Sequence, residues 1–231
     1  FKIFDKLIKT YGENGSAVNL EKLHDAALCY SQLLNEKHTT GKDELDIILK
    51  NLNLFSETHR VFLLKVFILN FDIDEKLRAA KVIEALAFRW ILTGGNAQEL
   101  ETIYQTMSQK LGHVSSSERL SEALTFALEK LPADEKVRGE IANSEAKSEL
   151  QFYVLRKVNK LLAQTELVWE KQQLNVEHLA PQKPAKESNW FEVVAPEDSG
   201  NDETPNYSDF VGRWGNLTLL EFEINKSVQN G

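Results

Sequence analysis

Cysteine is nearly absent from this sequence of 231 residues, in which Cys29 is the single example. One cysteine cannot form an internal disulfide, and it cannot supply the paired thiolates of a cysteine-ligated zinc site. The sequence therefore excludes a disulfide-rich scaffold and zinc held by several cysteines. Because a chain without disulfides suits a reducing compartment, we expect a cytoplasmic location.

Long apolar runs are also missing. The longest, Val61–Phe71, is interrupted by Lys65 and Asn70 and is far shorter than the ~20 residues that cross a bilayer as a helix. The first residues lack the basic and apolar regions of a secretion signal. Since Phe1 is not an initiator methionine, we expect a piece of a longer protein, with no membrane span.

An excess of positive charge, which is typical of nucleic-acid-binding proteins, is not found either. The net charge is -8, and residues 176–231 contain ten acidic residues against four basic ones. The segment Glu187–Asp209 holds seven acidic residues and no basic residue, which predicts a long exposed loop. Composition by itself therefore argues against a nucleic-acid role.

Proline is rare before residue 175, where Pro132 is the single example. Apolar residues in this region recur every three or four positions, which is the spacing of amphipathic helices. We predict a multi-helix bundle in which Val61–Phe71, apolar nearly all round, is the central buried helix. A new helix could begin at Pro132, and the clearest predicted helices are Leu20–Asn35, Lys42–Asn51, Thr58–Asn70, Asp74–Leu92, Ala97–Lys110, Ser116–Lys130 and Ser148–Gln164.

The predicted helix Ser148–Gln164 carries three basic residues close together, Arg156, Lys157 and Lys160. Arg156 and Lys160 are four positions apart and lie on one helix face. Cations near a helix C-terminus suit the helix dipole, so this can be an ordinary solvated face. The alternative is a face that contacts phosphate groups.

The composition changes after Asn175, where four of the five prolines fall within 25 residues. Val176-Glu177-His178 is predicted to close a short strand, and Asn216–Phe222, rich in apolar and β-forming residues, is predicted to form another. We therefore predict a helical scaffold at residues 1–172 and a small strand-containing domain at residues 173–231. The expected fold class is mainly α, and α+β overall.

Among the five histidines, His178 stands in a His-x-x-Pro setting at the predicted strand end. An imidazole there can act as a general base on water, because imidazole titrates near neutral pH. Glu177 beside it offers a hard oxygen ligand of the kind that Mg²⁺ prefers. A histidine at such a junction can equally serve as a structural hydrogen-bond partner, and this motif alone does not decide between the two.

Asn216 and Asn225 flank the second predicted strand, with eight residues between them. Together with His178, this layout resembles the HNH, or His-Me finger, nucleases. The resemblance implies a small ββα-metal finger in which His178 activates water and Asn216 holds the catalytic loop in shape. It also implies that Asn225, at the head of a helix, binds the metal.

Two longer segments make the resemblance specific to one family of nucleases. Val176–Gln182 reads Val-Glu-His-Leu-Ala-Pro-Gln, Trp190 follows, and Gly215–Leu220 reads Gly-Asn-Leu-Thr-Leu-Leu before a later asparagine. This resembles the C-terminal nuclease domain of the GmrSD-type modification-dependent restriction endonucleases. That family's pattern is Glu-His-Ile-x-Pro-Gln, a Trp, Leu-Gly-Asn-Leu-Thr-Leu-Leu and a later Asn.

The likeness extends into the helical region, at Ala87–Leu92 with Asn96 and at Tyr153–Val158, although these motifs are less specific. Two features depart from the family pattern. Trp214 stands where the family usually has an aliphatic residue, and the sequence stops at Gly231, before the lysine that the family usually carries on the closing helix. A chain that truly ended there would have a clipped finger.

The resemblance implies metal-assisted hydrolysis of DNA phosphodiesters, with Glu177 and Asn225 holding one Mg²⁺ or Mn²⁺. It further implies modified or foreign DNA as the substrate, anti-phage defence as the role, and an upstream nucleotide-binding and sensing domain of the same protein as a partner. The alternative is a catalytically silent interaction module on a helical scaffold. The acidic segment favours this alternative, whereas the combination of Glu177, His178, Asn216 and Asn225 favours the nuclease.

Overall fold

The computed structural model describes residues 20–35, 38–163, 174–185, 188–190, 207–222 and 224. Within these residues the chain forms helices and one two-stranded sheet, which confirms the expected fold class, mainly α and α+β overall. The chain divides into two compact units, Phe1–Leu131 and Pro132–Gly231. The domain boundary predicted between residues 172 and 173 lies outside the described residues and stays a prediction.

The first unit consists of consecutive helices whose predicted positions are confirmed to within a few residues. Helix α1 covers residues 20–34. It is followed by α2 (Asp43–Phe55), α3 (Arg60–Ile68), α4 (Ile73–Leu92), α5 (Ala97–Leu111) and α6 (Ser117–Glu129). Across the part of the chain that the structure describes, no helix is long and apolar enough to span a membrane.

Local signals explain where several of these helices begin and end. Asp72, Asn96 and Ser116 stand before α4, α5 and α6, and each side chain accepts a hydrogen bond from a backbone N–H of the first turn. Such caps satisfy donors that have no partner inside the helix. Gly94 and Gly112 follow α4 and α5 with φ of 70°, a left-handed conformation that glycine adopts without a steric penalty.

Helix α3 differs from its prediction as the central helix buried on all sides. Phe62 and Leu63 are fully buried, but Val61 and Ile68 are 47% and 49% exposed. The prediction is therefore wrong for one flank of the helix. The physical reason is that this nine-residue helix packs on α4 and α5, and an apolar run shows nothing about how many neighbours surround it.

The Trp90 and Asn96 motif has a structural role at the turn between α4 and α5. The Trp90 indole N–H donates to the Asn96 carbonyl oxygen at 2.8 Å, while the Asn96 side chain caps α5. Gly95 lies against the ring, where a Cβ atom would clash with the indole. These contacts therefore fix the turn that connects α4 to α5.

The second unit contains α7 (Asp134–Asn143), α8 (Ser148–Ala163), β1 (Leu174–His178), α9 (Tyr207–Val211), a 3-10 turn (Trp214–Asn216) and β2 (Leu217–Glu221). The strands pair antiparallel, with His178 opposite Leu217, and α8 packs against β2. The prediction that one strand ends at His178 is confirmed, and the strand predicted at Asn216–Phe222 is confirmed to within one residue at each end. The sheet therefore brings the two motif segments side by side.

A short pairing also ties the connection between α7 and α8 to the chain that enters β2. Glu145 forms an antiparallel bridge with Arg213, and the Ala146 N–H donates to the Gly212 carbonyl oxygen at 2.7 Å. A Cβ at Gly212 would lie 3.0 to 3.2 Å from side-chain atoms of Glu145. Glycine at this position therefore permits the close approach.

Candidate active site

His178 is the last residue of β1 and lines a cleft of about 1050 Å³. The α7–α8 connection contributes Glu145, the loop after β1 contributes Gln182 and Lys183, and α9 contributes Tyr207. His178 is partly exposed, and its Nε2 atom lies 3.3 Å from the amide nitrogen of Gln182. Solvent and a ligand in the cleft can therefore reach the imidazole.

Asn216 holds the loop that follows His178. Its Oδ1 accepts from the Ala180 N–H at 2.7 Å, and its Nδ2 donates to the carbonyl oxygens of Ala180 at 3.1 Å and Val211 at 2.9 Å. Its own carbonyl oxygen accepts from the Leu179 N–H at 2.8 Å. Asparagine suits this position because one side chain supplies both an acceptor and two donors.

These bonds matter because Ala180 is 5% exposed. A buried backbone N–H or carbonyl without a partner costs about 1 to 3 kcal/mol, and Asn216 satisfies both groups of Ala180 at once. The structure therefore brings Asn216 and His178 together, with the side chain of Asn216 bound to the chain two residues after the histidine.

Tyr207 is a second brace on this loop, and sequence reasoning missed it. Its hydroxyl donates to the Pro181 carbonyl oxygen at 2.6 Å, and desolvation raises the pKa of Tyr207, so that the hydroxyl keeps its proton. The prediction of a loop over Glu187–Asp209 is wrong at its C-terminal end, because Tyr207–Val211 forms the helix α9. A helix of five residues is too short to show apolar periodicity, and the aromatic residue was the one available signal.

Glu177 occupies the position before His178, opposite Thr218 in β2. Successive residues of a strand point to opposite faces, so Glu177 and His178 leave β1 on different faces of the sheet. Glu177 is partly exposed. The carboxylate and the imidazole therefore leave β1 on different faces, so an ion that served both residues would have to lie beyond the end of the strand, past His178.

The predicted metal ligand Asn225 lies outside the described residues, as does most of Glu187–Asp209. Among the residues that the structure describes, no group of three or more His, Cys, Asp or Glu could hold a metal ion. The carboxylate of Glu177 and the amide oxygen of Asn225 are hard donors. Such a set suits Mg²⁺, which keeps several waters and often takes one or two carboxylates from a protein.

The three basic residues of α8 are partly accounted for by aromatic contacts. The Arg156 guanidinium lies 5.7 Å from the centroid of the Phe152 ring, and the Lys157 ammonium lies 5.3 Å from that of Tyr153. Cations over aromatic faces are attracted by the ring quadrupole. A phosphate-contacting role for this face stays a prediction.

The departure at Trp214 is accommodated inside the second unit. Trp214 is 7% exposed and begins the turn that presents Asn216. Its indole nitrogen is buried without a hydrogen-bond partner among the described residues. A large aromatic side chain is therefore buried at the position where the family usually has an aliphatic residue.

A family comparison covers the part of the chain that contains this cleft. Residues 106–231 match the family model described as GmrSD restriction endonucleases, C-terminal domain. The match begins within α5 and includes His178 and Asn216. No curated protein and no solved structure matches the chain. Since the matched residues make up more than half of the sequence, the chain belongs to the family of GmrSD restriction endonuclease C-terminal domains, which indicates a restriction-endonuclease-related nuclease role.

Proposed function

We propose that the chain is a metal-dependent DNA endonuclease domain of the HNH type, in which His178 is the general base. The observation that carries the proposal is the set of four hydrogen bonds by which Asn216 holds Leu179, Ala180 and Val211. A catalytic base must be held in a narrow range of positions to act on a substrate. A brace of this kind directly after a histidine supports catalysis over a purely structural role.

In this proposal His178 takes a proton from a water that attacks a DNA phosphodiester. His178 is partly exposed and lines the cleft of about 1050 Å³, which leaves space for a segment of the DNA backbone. Lys183 is exposed and lines the same cleft, so its ammonium group can bind a phosphate as a point charge. The acidic net charge of the chain is therefore compatible with a locally cationic contact.

Glu177 and Asn225 would hold the Mg²⁺ or Mn²⁺ ion through carboxylate and amide oxygens. When bound, the ion supplies Lewis-acid stabilisation of the negative charge that develops on the phosphoryl and leaving oxygens. Asn216 is a brace in this arrangement and not a ligand, because Ala180 and Val211 engage both ends of its amide.

The substrate and the partners belong to the same proposal. Modified or foreign DNA, a role in anti-phage defence, an upstream nucleotide-binding and sensing domain and a cytoplasmic location are supported by the family resemblance and by the single cysteine, Cys29. The choice of substrate would be tested by comparing cleavage of plasmids that carry modified and unmodified bases by the full-length protein.

The central test is plasmid cleavage by the purified protein with Mg²⁺ or Mn²⁺. We expect nicked or linear product, its loss on chelation, and a loss of at least about 100-fold in His178→Ala. His113→Ala is the matched control, because His113 is exposed on the turn after α5. Equal rates in the two variants would remove His178 as the base, and a wild-type protein inactive on every plasmid would favour the interaction module.

Metal titration by calorimetry separates the base from the ligands. We expect His178→Ala to bind Mn²⁺ nearly as the wild type does, since a general base need not contact the metal. Glu177→Gln and Asn225→Ala should bind Mn²⁺ more weakly. A His178→Ala protein that no longer binds the ion would make His178 a ligand, and the base would then have to be another residue.

A further inference from the structure

The cleft that contains His178 carries groups of opposite chemistry on different segments of the chain. The loop after β1 contributes the ammonium group of Lys183, while the α7–α8 connection contributes Glu145 and the first turn of α8 contributes Gln151. Among the described residues, neither Lys183 nor Glu145 forms an ion pair. A charge of each sign is therefore available to a ligand in the cleft.

Glu145 is held in place although its side chain is exposed. Its backbone pairs with Arg213, and the next residue, Ala146, donates its N–H to the Gly212 carbonyl oxygen at 2.7 Å. The side chain of Glu145 runs over Gly212, since a Cβ atom there would lie 3.0 Å from its Cγ and 3.2 Å from its Oε1. The carboxylate therefore starts from a fixed backbone, which lowers the entropy cost of a contact with a ligand.

The orientation of the Gln151 amide is decided by its partner. The amide nitrogen lies 2.9 Å from the Ala146 carbonyl oxygen, and a carbonyl oxygen only accepts, so the NH₂ group must face it. The amide oxygen of Gln151 is left as an acceptor and has no partner in the part of the chain that the structure describes. Glu145 and Gln151 therefore both supply acceptors to residues of one cleft wall.

These acceptors decide which part of a nucleic acid can lie beside them. A phosphate is negative and offers no donor, so the Glu145 carboxylate repels it, whereas the Lys183 ammonium attracts it. The donors of DNA belong to its bases, and a carboxylate accepts from an exocyclic amino group in base readout. The cleft of about 1050 Å³ has room for both a phosphate and a base, since pockets of about 300 to 1,000 Å³ hold drug-sized ligands.

We infer that Glu145 selects DNA bases that carry an exocyclic amino group: its carboxylate accepts a hydrogen bond from that group, with Gln151 as a second acceptor, while Lys183 holds the neighbouring phosphate. The inference deepens the proposed function and rests on it, because DNA must be the ligand of the cleft. The contact requires neither a metal ion nor cleavage, so it can be measured as binding alone.

Matched pairs of short single-stranded oligonucleotides isolate the amino group. Deoxycytidine and deoxyuridine exchange a 4-amino for a 4-oxo group, and deoxyadenosine and deoxyinosine exchange a 6-amino for a 6-oxo group. Fluorescence anisotropy with EDTA present measures binding without metal-dependent cleavage. We expect the wild type to bind the amino member of each pair about 5- to 10-fold more tightly. Equal affinity within both pairs, or no binding of any of these oligonucleotides, would overturn the inference.

Glu145→Ala is the decisive variant, and Glu149→Ala is its matched control. Both remove one negative charge, but Glu149 is exposed and does not line the cleft. We expect the affinities within each pair to come within about twofold of each other in Glu145→Ala, while Glu149→Ala keeps the preference of the wild type. A preference that survives in Glu145→Ala, or that is lost equally in Glu149→Ala, would contradict the inference.

Two further variants test the division of the cleft between base and phosphate. Glu145→Lys should reverse the preference, because an ammonium group donates to an oxo group and cannot accept from an amino group. Lys183→Ala should weaken the binding of every oligonucleotide alike and keep the preference, because a phosphate contact carries no base information. A Lys183→Ala protein with an altered preference would show that Lys183 contacts the base, against the inference.

Failure of this inference and failure of the proposed function give different results. A protein that distinguishes the members of each pair but cleaves no plasmid would uphold the base contact and contradict the nuclease. A protein that cleaves plasmid with Mg²⁺ but binds the members of each pair alike would keep the nuclease and overturn selection by Glu145.

Discussion

In the unit Phe1–Leu131, side chains such as Phe62 and Leu86 are fully buried among helices. In the unit Pro132–Gly231, the described sheet has two strands, and most of its residues are only partly buried. A two-stranded sheet is at best marginally stable by itself in water. The first unit is thus stabilised mainly by apolar burial, while the motif segments of the second are held largely by hydrogen bonds from side chains to backbone.

This difference indicates what a substitution should change in each unit. Apolar burial contributes roughly in proportion to area and does not depend on direction, so core changes in the first unit should lower stability. Hydrogen bonds are directional, so changes at Asn216 or Tyr207 should alter the position of the loop after His178. Substitutions in the two units should therefore differ both in the size of their effect and in the property that they change.

The largest effect is expected for Leu63→Ala in α3. Leu63 is fully buried, and truncation of a buried leucine costs about 2 to 5 kcal/mol, because the cavity adds to the lost transfer free energy. Urea unfolding followed by circular dichroism measures the change in free energy of unfolding. Val61→Ala is the control, since Val61 is 47% exposed and should cost less than about 1 kcal/mol. Similar costs at the two positions would contradict the packing of α3.

The second prediction concerns His59, which is 1% exposed. Burial, and next to it the charge of Arg60, lowers the pKa of His59 to about 4. The folded state therefore holds His59 neutral, whereas the unfolded chain binds a proton below its ordinary pKa of about 6.5. The stability due to neutral His59 is complete above about pH 6.5 and is lost as the pH falls towards about 4, by about 3 kcal/mol in total.

Urea unfolding between pH 7.5 and pH 5, compared with His59→Phe, isolates this contribution. The variant should lose the part of the pH dependence that belongs to His59, while the rest of the profile should be the same in both proteins. Parallel pH profiles for the wild type and the variant would show that His59 is solvated in the folded state.

The third prediction is for Asn216→Ala, which leaves both polar backbone groups of Ala180 without their partner. We expect the loop after β1 to lose about 2 kcal/mol of local stability, so that its amide hydrogens exchange roughly 30-fold faster. The rate of DNA cleavage should fall as the loop loses stability, while the helical circular dichroism signal of the protein stays the same. Asn143→Ala is the control, because the exposed Asn143 donates a single bond to the Gly139 carbonyl. Unchanged hydrogen exchange at Leu179 and Ala180 would show that the Asn216 side chain does not hold this loop.

The smallest effect is expected for Tyr207→Phe, which removes the hydroxyl that donates to Pro181. One neutral hydrogen bond contributes about 0.5 to 1.5 kcal/mol, so we expect a loss near 1 kcal/mol in local exchange and a cleavage rate reduced severalfold. The ring remains in place, so thermal unfolding of the protein should hardly change. A variant with the full cleavage rate would show that Asn216 alone holds the loop.

The sequence predicted α4, α5 and α6 well because their signals are local. Apolar residues recur with the helical period, and Asp72, Asn96 and Ser116 bind backbone groups only two or three residues away. The ends of the strands at His178 and after Asn216 were predicted for the same reason, from Pro181 and from a short β-forming run. The partly exposed flank of α3 was not predictable, because exposure depends on which other helices lie beside it.

The helical periods, the strand ends and the motif of His178 and Asn216 could thus be predicted from the sequence, since each depends on neighbours along the chain. Three contacts follow from the folded chain alone. Asn216 binds Ala180, 36 positions away, Tyr207 binds Pro181, 26 positions away, and Gln182 contacts the ring of His178. Contacts of this kind follow from strand register and loop path. They arise when distant segments are brought within about 3 Å, a distance that no local pattern in the sequence specifies.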